Sequence, residues 1–399
     1  MTRKARNLGL LWNNVSGQAF SVDAYGNDNM SQTFSTPSSP LLFEPGMEHL
    51  EENEAETDAG LEDTMRGIRE TTFEHSGHAN RSVHAKSHGV LHGTLTVAAN
   101  LPAALAQGLF AKAGSYKTVM RLSTLPGDIL DDSVSTPRGL AFKVIGVEGD
   151  RLPGSEGDVT QDFVMVNAPA FSAPTAQKFL GSLKTLAGTT DKYEGLKEVV
   201  SRVARGTEAV LEAFGGKSAT VITMGGQPAT HILGETFYTQ TPFLYGPYVC
   251  KFALAPASPG LKALTKEPIN VNGKPDALRE SVIEHCGQEG GEWELQVQLN
   301  TDLEAMPIED ASVPWPEDKS PYVTVASISV PAQNAWSAEG KGAVDDGLSF
   351  GPWHGLAAHR PLGGVNRARN GTYTNSAKFR GSHNGCPMHE PRSGELVEG

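Results

Sequence analysis

Glu292-Trp-Glu-Leu-Gln-Val-Gln-Leu-Asn300 sets Trp293, Leu295, Val297 and Leu299 against Glu292, Glu294, Gln296, Gln298 and Asn300. The period is two, at which successive side chains leave opposite faces of a β-strand, so one face of this segment is dry and the other wet. Outward from it, six more runs are rich in Val, Leu, Phe and Thr: Val90–Ala98, Lys117–Leu122, Arg138–Val147, Asp162–Asn167, Tyr248–Leu254 and Tyr322–Val330. Together they predict an α+β protein built on an antiparallel β-barrel, or on one large sheet.

Helical spacing interrupts the strands at Pro102–Ala113, at Pro174–Ala187 and at Tyr193–Phe214, where Leu196, Val199, Val200, Val203, Val210 and Ala213 recur at three- and four-residue steps. A Gly- and Pro-rich segment, Ala332–Gly364, leads to a polar helical stretch, Val365–Arg380. The expected organisation is an N-terminal arm over 1–75, a barrel domain over 76–331 with a helical insertion at 174–214, a wrapping segment over 332–385, and a flexible tail from 386 to 399. The acidic run from Glu48 to Asp63 reads as a solvated face, with an arm wrapped on a second subunit as the alternative.

Composition narrows the function classes. The 399 residues are 38% hydrophobic and 20% charged, and 33 Lys plus Arg against 46 Asp plus Glu leave −13. That balance gives no general attraction to phosphate backbones or anionic lipid, so neither nucleic acid nor membrane is an expected partner. Three cysteines, Cys250, Cys286 and Cys386, do not make a disulfide framework. The apolar run near the N-terminus is too short for a secretory signal, and a cytoplasmic location is expected.

Histidine is dense at the start of the strand region, at His75, His78, His84, His88 and His92. Four-residue steps would stack His84, His88 and His92 on a helix, but Gly89 and Gly93 and the β texture argue for a strand. There four residues span about 13 Å, too far for one ion. A phosphate-cradling GxxxxGK[ST], a GxSxG elbow and paired cysteines at zinc spacing are all absent.

Three distant segments carry a stronger pattern: Arg81-Ser-Val-His84-Ala-Lys, Met120-Arg121-Leu-Ser123-Thr124, and Arg369-Asn-Gly-Thr-Tyr373 followed by Arg380. In order and offset the set resembles the haem catalase family, and Pro137-Arg138-Gly139-Leu-Ala-Phe-Lys143 resembles a further strand of it. The resemblance is dense over His78–Phe171 and Phe350–Arg380 and thin between. It implies a catalase-like barrel with haem b buried between the barrel and a C-terminal helix. His84 would be the distal base, with Val83 beside it, Ser123 its orienting partner, and Tyr373 the axial iron ligand. Arg81, Arg121 and Arg380 would clamp the haem propionates, Arg369 would support the tyrosinate, and Phe163 and Phe171 would lie over the haem edge. The chemistry suits these residue types: a phenol ionises at neutral pH only beside a cation and a metal, and guanidinium forks satisfy buried carboxylates bidentately.

The chain departs from the pattern in two places. Where the family carries an N-N-T-P stretch with its distal asparagine, alignment through Thr160 and Phe163 places Asp158, an acceptor-only carboxylate. Beyond Tyr373 the chain is short, as in compact catalase-like peroxidases and allene oxide synthases; the latter carry Thr where this chain has Val83. The resemblance implies decomposition of hydrogen peroxide through a ferryl intermediate, by catalase or catalase-like peroxidase chemistry. Open alternatives are a peroxidase or isomerase of organic or fatty-acid hydroperoxides, and a non-catalytic haem-binding protein. A homo-oligomer, guessed a dimer, is expected.

Overall fold

The computed structural model describes residues 39–127, 129–190, 227–337, 342–386 and 388–392. Nine antiparallel strands form one sheet among these residues: β1 (Ser87–Val97), β2 (Ser115–Thr124), β3 (Arg138–Ile145), β4 (Thr160–Val166), β5 (Phe237–Tyr238), β6 (Phe243–Tyr245), β7 (Tyr248–Pro256), β8 (Gly291–Leu299) and β9 (Val323–Val330). The two-residue β5 pairs with both β4 and β7, and β9 pairs with β1, so eight strands close a barrel while β6 folds back on β7 as a hairpin. All seven strands expected from sequence are present, with ends shifted by a few residues.

Period two decides what fills the barrel. Leu91, Leu95, Met120, Leu122, Phe142, Phe163, Phe252, Trp293 and Leu295 point inward and are all buried. Each such side chain contributes about 1.5–3 kcal/mol relative to exposure. Part of the outward face of β1–β4 is also covered, although Thr94, Thr96, Ser115 and Lys117 at one end stay exposed. Val90, Val119 and Ile145 pack beneath Val344, Leu348 and Phe350 of the wrapping segment, with Ala141 and Val164 partly buried beside them. Stretches covered on both faces read as continuous apolar runs, and alternation shows where one face stays wet, along β8 and in the second half of β1.

Five helices are described: α1 (Glu54–Ser76), α2 (Ala176–Thr190), α3 (Pro259–Ala263), α4 (Ala277–Gln288) and α5 (Gly364–His383). The Tyr193–Phe214 pattern lies outside the described residues. Pro102–Ala113 is not a helix. It is a run of turns with one 3-10 turn at Gly108–Phe110, where Gly108 has φ +54 and a Cβ would lie 2.7 Å from Cε1 of the His359 ring. A left-handed residue pressed against a buried ring stops the helix that the spacing predicts.

α5 is fastened at its N-terminus. Glu309 and Glu48 accept from the Gly364 and Gly363 N–H groups, and Arg367 pairs with Glu48, Glu54 and Glu309. Carboxylates are favourable at a helix start, where N–H groups lack partners. Glu48 and Glu54 of the acidic run are thus turned into the protein rather than into solvent. Nor does the chain from Cys386 trail free where it is described: His389 donates to the Gly347 carbonyl at 2.7 Å, and Glu390 pairs with Lys143 at 2.6 Å. No helix of the described residues is long and apolar enough to cross a membrane.

Candidate active site

His84 sits just before β1 with φ +57, a left-handed conformation that costs a non-glycine residue about 1–2 kcal/mol. Its N–H donates to the Leu125 carbonyl at 2.6 Å, and its carbonyl accepts from Arg121 Nη1 at 2.9 Å. Nδ1 lies 3.2 Å from Ser123 Oγ, on the outward face of β2. The ring rests on the bare Cα of Gly139 on β3; a Cβ there would be 2.5 Å from Cε1 and nearer still to Nδ1. Ser123 Oγ also lies 3.4 Å from the Gly139 carbonyl. A hydroxyl donating there accepts from Nδ1–H and leaves Nε2 as the basic nitrogen. Burial, and then the charges of Arg121, Arg369 and Arg81, push the imidazole down to about 3, so it is neutral at physiological pH.

α5 carries one stripe of the expected residues. At about 100° per residue, Arg369, Tyr373 and Arg380 fall within roughly 40° of one another. Arg369 is fixed by Thr241 and Asn366, at 3.1 and 3.2 Å from Nη1, and stands 5.5 Å above the Phe171 ring. Burial lowers its pKa and the nearby Tyr373 oxygen opposes that shift. Tyr373 lies beside Gly351, half-buried. Ala141, Val164 and Val166 on the barrel wall are likewise half-buried beneath the elements that cover them.

Arg81, Arg121 and Arg380 converge, as the pattern requires, but on a carboxylate of the chain itself. Asp345 Oδ1 accepts from Arg121 Nε at 2.5 Å and from Arg81 Nη1 at 3.1 Å, and Arg380 Nη1 donates to the Asp345 carbonyl. Arg81 and Arg380 also donate to the Leu348 carbonyl. Asp345 is the carboxylate bonded to this cluster, with Asp346 acting on Arg81 and Arg380 from further off, and Arg380 Nε has no partner among the described residues. A planar group with two carboxylates and a metal open to a phenol oxygen fits this set. Tyr373 and Arg369 would hold its metal side, Arg81 and Arg380 its carboxylates, and Phe171, Ala141, Val164 and Val166 would offer apolar contact.

Four sequence-expected site residues lie elsewhere. β3 and β4 pair Gly139 with Val166 and Ile145 with Thr160, so Thr160 is six strand positions, about 20 Å, from the His84 end. Asp158 precedes it. Both join a cluster at the far end of the barrel wall, where Thr160 Oγ1 is 2.8 Å from His354 Nε2 and donates to Glu390, and Asp158 is 3.8 Å from His354. Phe163 points into the barrel, stacked on Phe142 with centroids 4.6 Å apart, because its neighbours Asp162 and Val164 take the outward face. Val83 packs toward α1 and α2 with Leu61, Met65 and Ala176.

The register brings Val166 and Asn167 to the His84 end instead. Asn167 Oδ1 accepts from the Arg138 N–H at 2.9 Å, and its own N–H donates to the Arg138 carbonyl. Anchoring the N-N-T-P pattern on Phe171 instead of Phe163 lays it over Val166-Asn167-Ala168-Pro169, and that was the signal available in sequence. Gly139, inside the quoted PRG run, had no role assigned.

Comparison with solved structures finds this barrel in catalases. A fungal catalase superposes with TM-score 0.56 at 18% identity, over 78% of this chain and 61% of its own. Catalase A from Saccharomyces cerevisiae gives 0.54 at 18% identity, over 87% and 70%. A bacterial catalase gives 0.54 at 15% identity, over 82% and 62%. The fold is thus catalase-like, and the chain spans about three-fifths of the fungal and bacterial catalases. No protein-family model and no curated protein matches the sequence.

Proposed function

We propose that the chain binds haem and breaks down hydrogen peroxide, by catalase or catalase-like peroxidase chemistry. The observation that carries this reading is the His84–Ser123 pair, seated on bare Gly139, with Arg369 of the α5 stripe near enough for its charge to act on the imidazole. A haem bound there would supply the iron that takes the peroxide and the electrons that split its O–O bond. The chain's own residues would manage the proton. His84 Nε2 accepts it from the incoming peroxide and returns it to the departing oxygen, while Ser123 holds the tautomer. Tyr373, its charge compensated by Arg369, would hold the metal through its phenol oxygen. Haemin titration of the purified protein should give a stoichiometric complex whose absorption changes on adding peroxide. His84→Ala should keep the haem and lose about 10²–10⁴-fold in rate, the usual worth of a general base. Tyr373→Phe should lose haem or alter its spectrum. Failure to bind haem, or an unaffected His84→Ala, refutes the proposal.

A second reading, turnover of organic hydroperoxides, is favoured by one feature. The residue opposite Gly139 on β4 is apolar Val166. Oxygen release from hydrogen peroxide alone supports the first reading; turnover of cumene hydroperoxide with an electron donor, without oxygen release, supports the second.

A further inference from the structure

His84 holds a backbone conformation that is unfavourable unless its surroundings enforce it, and the enforcing contacts are countable. Its N–H and that of Ala85 donate to the carbonyls of Leu125 and Pro126, at 2.6 and 3.1 Å. Its carbonyl and that of Ala85 accept from Nη1 and Nη2 of a single guanidinium, Arg121, at 2.9 and 3.1 Å. The third nitrogen of Arg121, Nε, donates to Asp345 Oδ1 at 2.5 Å. Every nitrogen of Arg121 therefore has an acceptor within the chain. Arg81 and Arg380 reach Asp345 too, but their other bonds run to carbonyls of Val344 and Leu348 in the wrapping segment. Among the three, Arg121 alone is bonded to the backbone that carries the imidazole.

We propose that Asp345 is a positioning residue for His84, acting through Arg121: it fixes the guanidinium whose two Nη groups clamp the His84–Ala85 carbonyls, and so aims the imidazole. This rests on the reading of His84 as the proton-transferring base. The chemistry requires the carboxylate. Arg121 lies in a buried cluster with Arg81 and Arg380, whose charges repel one another, and Asp345 is the anion bonded to Arg81 and Arg121 together. Without it the guanidinium is driven away from its like-charged neighbours and off the two carbonyls. Asp345 belongs to a π-helical turn, Gly342–Asp346, a backbone irregularity that presents its carboxylate toward the barrel wall. A residue of the wrapping segment thereby sets a side chain on the barrel.

The test is a double-mutant cycle read by cyanide binding to the haemin-loaded protein, since hydrogen cyanide must hand its proton to a base as the anion binds iron. Asp345→Asn should slow cyanide association at least tenfold and leave haem stoichiometry unchanged. In a His84→Ala background it should slow it no further, because both changes remove the same device. Asp345→Glu should recover part of the rate, and thermal melts of each variant separate misfolding from misplacement. A haem-free arm uses diethyl pyrocarbonate: His84 should be carbethoxylated several-fold faster in Asp345→Asn than in the parent, with exposed His75 unchanged. Equal slowing with and without His84, loss of haem in Asp345→Asn, or no change in either arm overturns the proposal. A parent that takes up no haem overturns the proposed function and leaves the carbethoxylation arm to decide this one.

Discussion

Gly139→Ala tests the core of the site with one methyl group. Gly139 has an ordinary negative-φ strand backbone, so alanine fits the main chain without strain and should leave folding intact. The added Cβ would lie 2.5 Å from His84 Cε1 and 3.0 Å from Ser123 Oγ, whereas carbon contacts settle at about 3.5–4.0 Å. The imidazole must retreat by about 1 Å. That stretches the 3.2 Å contact between Nδ1 and Ser123 beyond hydrogen-bond range and carries Nε2 off its line. A misplacement of 1 Å costs about 10²-fold in rate, or roughly 2.7 kcal/mol of transition-state stabilisation. Stopped-flow reaction of the haemin-loaded variant with peroxide, beside the parent and His84→Ala, measures it. Gly139→Ala should fall between the two with an unchanged melting temperature. A rate within twofold of the parent would show that His84 does not rest on this strand, and the site as described here would go with it.

Three other outcomes are open to measurement. With the His84 imidazole pushed down to about 3, about 1% is protonated at pH 5, against some 97% for an unperturbed ring; the reaction with peroxide should therefore be flat from pH 8 to 5, and a limb near 6.5 would contradict the burial. Glu390 is raised by burial but lowered more by its His354 hydrogen bond and the Lys143 charge, to about 2. Its contribution is therefore full above the unfolded value near 4.5 and lost as pH falls from there toward 2, so urea midpoints should drop across that window, and less so in Glu390→Gln. Phe163→Ala should cost about 3–5 kcal/mol in urea unfolding and leave the haem spectrum unchanged, since the ring fills the barrel; the reverse pattern would put it at the site.

How far the site was legible in sequence depended on the kind of contact. Arg369, Tyr373 and Arg380 lie on one helix, where spacing fixes direction, and the structure keeps them on one stripe. Arg121 and Ser123 share an outward strand face for the same reason, at a period of two. Phe163 was misplaced because β4 is buried on both sides, so composition could not say which parity faces the wall. Asp158 and Thr160 were misplaced because strand register depends on the turn between β3 and β4, and a shift of six residues moves a side chain by about 20 Å.

The seven long strands and the two polar stripes were determined by sequence alone, because they follow from local periods of two and 3.6; those periods left a barrel and one large sheet equally open. Which barrel face is the site wall, which residues stand at its far end, and that a carboxylate from the wrapping segment holds Arg121 were decided only by tertiary structure. Those depend on pairing across 16 to 319 residues of chain, from Ser123 and Gly139 to Arg367 and Glu48. Closure of the barrel, unlike the strand itself, has no periodicity to read.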